Sequence, residues 1–337
     1  MVTAEPSSVP NRSRTDMQVV PVRHPGRWVA AAVVCLLAVM AVHSLFFSHV
    51  LRGGVRQERF EWNVINHYFF SPSVVEGLGV TLALTAIAMA GGILIGVLLA
   101  IMRLSPNPIV TGSSWLYIWF FRGTPVLVQL LFWYNASYIF PSFTLGVPFG
   151  PALVHFDLNA WLTPFVAASL GLALNEGAYM SEIIRAGMIS VDEGQTEAAQ
   201  SIGMSRLLAL RLIVLPQAMR VIIPPTGNET ISMLKTSSLA SVVVAPELLF
   251  RVTQIYAANY KIIPLLMVAS LWYLFVTSVL MVGQYYLERH YARGSVRQLP
   301  PTPLQRLRRW LLIRPDKFEP GRPAEVEVVP VIGYPHE

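Results

Sequence analysis

Charge is scarce in this 337-residue chain: Asp, Glu, Lys and Arg together make up 13% of it, against 54% for the hydrophobic residues. A soluble domain carries about 25% charged residues, so the supply is roughly half of what an aqueous surface uses. The shortage excludes a disordered chain and, despite a formal net charge of +6, a nucleic-acid-binding one. It also speaks against an ordinary soluble enzyme. Cysteine is limited to Cys35, which excludes an internal disulfide and any cysteine-cluster metal site. The only lysines are Lys235, Lys261 and Lys317, and none follows a glycine. A phosphate-cradling G-x-x-x-x-G-K-[ST] loop is therefore absent, and the chain cannot hold ATP by that device. His43, His49 and His67 are too scattered to suggest a metal site, and no nucleophile–base constellation appears.

What the chain does have is a series of long uncharged windows. A bilayer-crossing helix needs about 20 apolar residues, because its backbone groups find no partners in hydrocarbon. Windows free of Asp, Glu, Lys and Arg run over 28–51, 77–102, 123–156, 158–175 and 262–287. The third breaks at Pro141, Pro148, Gly150 and Pro151, which predicts a span over about 124–140 and an apolar external loop after it. The uncharged stretch 104–121 contains Pro106 and Pro108 and reads as a loop entering a short interfacial helix. The fourth span is placed at about 160–184, and a further one at about 222–245 carries Glu229 and Lys235.

Six spans put both termini on one side. That side holds 19 of the 25 Lys and Arg residues and the opposite side five, with Lys235 inside a span, so the positive-inside rule makes it cytoplasmic. The N-terminal stretch 1–27 is rich in Pro, Ser, Thr and Arg and reads as a disordered tail. The uncharged window after it exceeds the usual length of a signal-peptide core, which favours an uncleaved anchor over a cleaved leader. The segment 52–72 reads as an extracytoplasmic linker, and 291–337 as a cytoplasmic tail. Its basic amphipathic piece 304–313 either lies on the inner membrane surface or is solvated.

Between the fourth and fifth spans lies a cytoplasmic loop over 186–221, long enough to carry structure and function of its own. Ser190 and Glu193 have capping-box spacing, so a helix should begin there and run over 195–202 until Gly203 breaks it. Ser205 can cap a second helix, which should stop before Pro216. The small residues Ala198, Ala199 and Gly203 permit another surface to approach closely.

Ionisable groups inside spans are costly and usually face a bundle interior or a pathway. Asn175, Glu176 and Glu182 fall near the cytoplasmic end of the fourth span. Asn228, Glu229, Ser232, Lys235 and Thr236 fall in the fifth, where 228, 232, 235 and 236 share a helical face. A path bearing both charge signs suits a zwitterionic solute. A structural Glu–Lys pair or snorkelling at a boundary is the alternative.

Glu197-Ala198-Ala199, followed at fixed spacing by Gly203, Ile213 and Leu215-Pro216, resembles the EAA loop of ATP-binding-cassette (ABC) importer permeases. The flanks sharpen the likeness to the polar amino acid permease family. They are Gly177, Ala178, Tyr179, Glu182 and Arg185; Gly194 and Gln195; Gln217 and Ala218; and Leu234 to Leu239. Upstream, Phe121 to Pro125 with Leu127 and Gln129 is similar as well. The resemblance covers about residues 73–290. It implies an all-α integral membrane protein with a type I ABC importer permease core of five helices, to which the first span adds an extra N-terminal helix.

The resemblance further implies a multi-pass protein of the cell's inner membrane that assembles with a second permease subunit, identical or related. A separate ABC ATP-binding subunit would hold ATP and Mg, so this chain needs no cofactor, and an extracytoplasmic solute-binding protein would deliver the amino acid. Gly194, Gln195, Glu197, Ala198, Ala199, Gly203, Leu215 and Pro216 become ATPase-coupling residues: Glu197 orients the loop or pairs with the partner's basic groups, Ala198 and Ala199 fit against it, and Gly203 permits the turn. Arg122 and Gly123-Thr124-Pro125 are read as setting the entry of the third span. Two other classes stay open: a secondary amino acid transporter using Glu176, Glu229 and Lys235 as an ion relay, although no inverted repeat is visible, and a non-transporting membrane scaffold with a permease-like core.

Overall fold

The computed structural model describes residues 25–52, 55–58, 60–146 and 152–291. The tail through residue 24 and the tail from 292 onward, with the amphipathic piece 304–313, lie outside the described residues. The chain runs through α1 (Pro25–Phe46), β1 (His49–Arg52), β2 (Val55–Glu58), α2 (Trp62–Phe69), α3 (Pro72–Arg103), α4 (Pro108–Gly123) and α5 (Val126–Tyr134). A single turn α6 (Ala136–Ile139), the hairpin β3 (Ser142–Gly146) and β4 (Ala152–Asp157), and a turn α7 (Leu158–Trp161) follow. Then come α8 (Pro164–Ile189), α9 (Glu193–Ser201), α10 (Arg206–Ala209), α11 (Leu215–Thr236), α12 (Leu248–Asn259) and α13 (Ile262–Tyr291).

Among the described residues, three helical stretches are long and apolar enough to cross a membrane: α3, the continuous run Arg206–Val243, and α13. The pair α4 and α5, bent by 100° at its junction, makes a fourth if taken as one span. At 26 residues α8 is long enough, but Asn175 and Glu176 dilute its apolarity. The first helix has a shorter apolar stretch, Val29–Ser44.

Packing divides the chain into two compact units, one within 1–80 and 246–272, the other within 81–245 and 273–337. In the first, Ile65, Val74, Leu248, Val252 and Leu265 are buried. Gly77 lets α3 lie against α12, since a Cβ there would stand 2.8 Å from Arg251 Cγ and 3.0 Å from Leu248 Cα. Glu247 caps α12 by accepting from the N–H groups of Leu249 and Phe250. Trp272 Nε1 donates to Phe69 O at 2.8 Å while its ring stacks on Phe69.

In the second unit α8 is the central helix, with Ala167, Ala168, Leu172, Glu176, Ala178 and Met180 all buried. Such burial requires small residues on the neighbours, because helix backbones in a membrane approach closely only where side chains are absent. The α3 glycines supply this. A Cβ on Gly91 would stand 2.9 Å from Ala173 Cβ, one on Gly92 2.5 Å from Glu176 Cγ, and one on Gly96 2.6 Å from Met180 Cβ. On the other side Gly187 fits against Ile222 of α11, and Gly171 against Leu130 of α5.

Several boundaries differ from expectation. The helix expected after a loop in 104–121 takes up most of that stretch: Asn107 accepts from Ile109 N at 2.9 Å and Pro108 opens the 16-residue α4. Proline is favoured at that first helical position, so the loop before it is short. The expected 124–140 span is accordingly a nine-residue helix followed by a single turn. The segment after it is an antiparallel hairpin, with Ser142 opposite Asp157. Likewise α1 ends at Phe46, short of the window's end at 51, because the last uncharged residues belong to β1.

In the segment between α8 and α11 the cap of α9 is Asp192, whose Oδ1 accepts from Gly194 N at 2.8 Å, while Ser190 ends α8. The second helix does not stop at Pro216. A π-helical turn, Leu210–Val214, carries it into α11, with Leu215 N donating to Leu210 O. The wider turn relieves the clash that a proline ring makes with the carbonyl four residues back.

The glycine seam can be tested directly. Gly92→Val forces two branched methyl groups against Glu176 and is expected to lower the thermal stability of the detergent-extracted protein, on the order of 1–3 kcal/mol for forced overpacking. Gly112→Ala, whose added carbon meets nothing within 4 Å, should not lower it. A fluorescence-monitored melt distinguishes the two.

Candidate functional site

The site is built on the α4–α5 bend. A helix end leaves its last carbonyls without donors, and Pro125 has no N–H to offer them. Side chains complete the set. Gln129, 5% exposed, donates through Nε2 to Phe121 O at 2.9 Å, Thr124 O at 3.1 Å and Thr124 Oγ1 at 2.7 Å. Asn175 Nδ2, from α8, donates to Phe121 O at 3.0 Å and to Gln129 Oε1 at 3.1 Å. Tyr117 OH donates to Leu174 O at 2.8 Å, fastening α4 to the same turn of α8. The bend is thus held open by a polar clamp made of two amides.

Against this clamp lies a cavity of about 590 Å³. The bend contributes Arg122 to Val126, α8 contributes Asn175, Glu176 and Tyr179, and α11 contributes Glu229, Ser232, Met233 and Thr236. Its charges are two carboxylates and one guanidinium. The Arg122 guanidinium lies over the Tyr179 ring, 5.1 Å from its centroid, the geometry of a cation–π contact. Glu176 is 3% exposed and its Oε1 has no hydrogen-bond partner. A buried carboxylate oxygen without a donor is expensive.

Five of the polar residues singled out in the fourth and fifth spans, Asn175, Glu176, Glu229, Ser232 and Thr236, line the cavity. Asn228 and Lys235 do not. Asn228 Oδ1 accepts from Gln284 Nε2 of α13 at 2.9 Å, and Lys235 is exposed. Gly227 abuts Gln284, which fixes the rotation of α11 and turns the 229, 232, 233 and 236 stripe to the cavity instead of the 228 and 235 one. Glu182 is paired with Arg185 at 2.8 Å, outside the cavity. Arg122 and Gly123-Thr124-Pro125, read as a span entry, both form the bend and line the cavity. Tyr179 and Met233 were missed as lining residues, yet each sits three or four positions from an ionisable cavity residue, Glu176 or Glu229, which puts it on the same face.

The segment between α8 and α11 forms a second feature. Helix α9 buries Ala199 at 2% exposure, while Gly194, Gln195, Glu197 and Ala198 are exposed. It ends in a complete left-handed turn: Gly203 has φ +84, its N–H donates to Gln200 O at 2.9 Å, and Met204 N donates to Ala199 O at 3.0 Å. That is the Schellman arrangement, which favours glycine. Space is not the constraint, since a Cβ at Gly203 meets nothing within 4 Å. Ile202 at 79% and Leu207 at 74% exposure flank the turn, and Leu215 and Pro216 lie beyond the π-helical turn, also exposed.

Comparison with known proteins places these features in context. Residues 92–293 match the family described as binding-protein-dependent transport system inner membrane component. The arginine transport system permease protein ArgU of Corynebacterium glutamicum is 44% identical over 315 residues, covering 92% of each chain. That match extends well past 92–293. The nopaline transport system permease protein NocM of Agrobacterium fabrum is 37% identical, covering 65% of this chain and 89% of its own. Among solved structures, an amino acid ABC transporter crystallised with histidines has 33% identity and a TM-score of 0.57, covering 67% of this chain and 98% of that one.

The amide clamp carries a stability prediction. Gln129→Leu keeps the volume but leaves the Phe121 carbonyl with one donor and Thr124 O with none. Burying unsatisfied groups costs about 1–3 kcal/mol, so the melting temperature should fall clearly, whereas Thr124→Ser, which keeps the hydroxyl, should leave it near that of the unaltered protein.

Proposed function

Because the chain belongs to the family of binding-protein-dependent transport system inner membrane components, we propose that it is the membrane-spanning subunit of an ATP-driven importer for a polar amino acid or a close analogue such as an opine. Membership makes it a multi-pass inner-membrane permease that is not itself an enzyme: a separate ATP-binding subunit hydrolyses ATP and a substrate-binding protein supplies the solute. ATP and Mg bind in that subunit, and a second permease chain, identical or related, completes the membrane path. In this reading the six spans leave both termini in the cytoplasm, and α1 is an uncleaved addition to a five-helix core.

The observation that carries the substrate reading is the unpartnered Glu176 Oε1 in a cavity that also holds Glu229 and Arg122. An amino acid presents an ammonium to the carboxylates and a carboxylate to Arg122, while Asn175, Ser232 and Thr236 supply neutral hydrogen bonds. Two carboxylates against one guanidinium favour a basic side chain, in keeping with the arginine carried by a 44% identical relative. Asn228 and Lys235 would belong to another stage of the path as the spans rock.

Helix α9 is the coupling element. Gly194, Gln195, Glu197 and Ala198 face outward for the ATP-binding subunit, Ala199 anchors the helix, and Gly203 turns the chain back toward Leu215, Pro216 and α11. Closure of the nucleotide-binding partner is passed in this way to the helix that carries Glu229, Ser232 and Thr236.

Two measurements on the assembled complex in liposomes test the proposal. A charge-assisted hydrogen bond is worth about 1.5–3 kcal/mol, so Glu176→Gln should raise the half-saturating concentration of a basic amino acid about tenfold or more. Basic amino acids should also compete for uptake better than acidic ones. Gly203→Trp should insert and assemble normally, hydrolyse ATP, and take up little substrate. Uptake that persists without the ATP-binding subunit would overturn the importer reading and favour the ion-relay transporter.

A further inference from the structure

Helix α11 is weakened between its coupling end and its cavity end. Pro224 and Pro225 lie inside it. Neither has an N–H, so the carbonyls of Arg220 and Val221 lose their helical donors and the segment can flex there. At about 1.5 Å per residue the break stands about 14 Å from Leu215 and one turn before Glu229. A lever that bends at this point would lose motion before it reached the cavity.

A side chain from α13 occupies the break. Gln284 Nε2 donates to Asn228 Oδ1 at 2.9 Å, is 3.3 Å from Pro224 O, and donates to Glu288 Oε1 at 2.7 Å. It reaches α11 because Gly227 leaves a notch, where a Cβ would stand 2.8 Å from Gln284 Cγ and 2.9 Å from its Cδ. Glu288, one turn further along α13, aims the amide. One amide therefore ties the first proline of the pair, and a residue one turn beyond it, to a second helix. Asn228 is exposed and Gln284 half-buried, so the tie does not serve to satisfy a buried core.

We propose that Gln284 is a positioning residue for transport: it sets the angle of α11 at the Pro224–Pro225 break, so that the stretch bearing Glu229, Ser232 and Thr236 turns as one body with the end of α13. The proposal rests on the transport reading above and names what keeps the lever stiff. Asn228 and Gly227 share the task, one as acceptor and the other as notch, which gives Asn228 a place in the machinery although it does not line the cavity.

The test uses the full complex in liposomes, with Cys35→Ser as background and spin labels at the exposed positions Leu212 and Val242, one on each side of the break. Three variants are compared: Gln284→Leu, which keeps the bulk and removes the amide; Gly227→Ala, which pushes Gln284 away; and the double variant Gly227→Ala with Gln284→Ala, which removes both clash and amide. Gln284→Leu and Gly227→Ala should broaden the label-to-label distance distribution and lower maximal uptake about fivefold or more. The half-saturating concentration should stay within about twofold, and more ATP should be hydrolysed per amino acid moved.

The double variant should remain defective. Its recovery to normal uptake, or a Gln284→Leu complex with an unchanged distance distribution and ATP-to-substrate ratio, would overturn the proposal and reduce Gln284 to a packing residue. Should Gln284→Leu fail to assemble, the single and double Gly227 variants decide the matter by the same readouts. An unaltered complex that takes up no amino acid would refute the transport reading, while the distance distributions would still decide whether the tie exists.

Discussion

A carboxylate wedged between two membrane helices, with one oxygen left bare, is the constraint around which the second unit is arranged. Glu176 packs its Cβ and Cγ where Gly92 has no side chain, so α3 seals one flank of it. On the other flank its carboxylate enters a cavity shared with Glu229 and Arg122. Such a group is tolerated in a membrane protein only where a path or a partner needs it. The glycine seam of α3 follows from it, since a side chain at Gly92 would displace Glu176, and those at Gly91 and Gly96 would force the helix off Ala173 and Met180.

The bend between α4 and α5 serves the same cavity from above. Its shape is imposed by Pro125, and its cost in unpaired carbonyls is met by Gln129 and Asn175. The two amides hydrogen-bond each other as well, so the wall presented by Arg122 to Val126 and the helix presenting Glu176 are tied at one point. The third wall, α11, is different in kind. It leads back through a proline pair and a π-helical turn to a glycine-terminated helix. The proline pair is a point where this wall can flex, and the tie from Gln284 lies at it.

Much of this was legible in the residues. Scarcity of charge and the length of the uncharged windows point to α3 and α13, both long and apolar enough to cross a membrane, because hydrocarbon punishes ions so heavily that their positions become informative. Gly203 was readable as a turn, since only glycine takes φ +84 without strain. Glu176 and Glu229 stood out as ionisable groups within apolar stretches. What failed was local. Pro216 suggests a helix end, whereas it follows a π-helical turn that carries the helix on, and Pro108 opens a helix longer than its flanks suggest; backbone context, not residue type, decides such outcomes. Ser190 and Asp192 both had the chemistry of a cap, and only the end of α8 shows which of them is free to act. The choice between the 228 and 235 stripe and the 229 and 233 stripe depended on the rotation of α11, set by a contact with Gln284 that lies 57 residues beyond Gly227 in the chain. No short-range pattern encodes that.

The central claim is that Glu176 holds the cationic group of the transported solute. A structure of the assembled complex with a bound basic amino acid tests it most directly. The account predicts that solute's ammonium or guanidinium within about 3 Å of Glu176 Oε1, at hydrogen-bond distance, with its carboxylate toward Arg122. A solute bound elsewhere in the membrane domain, with the Glu176 carboxylate still bare, would contradict it.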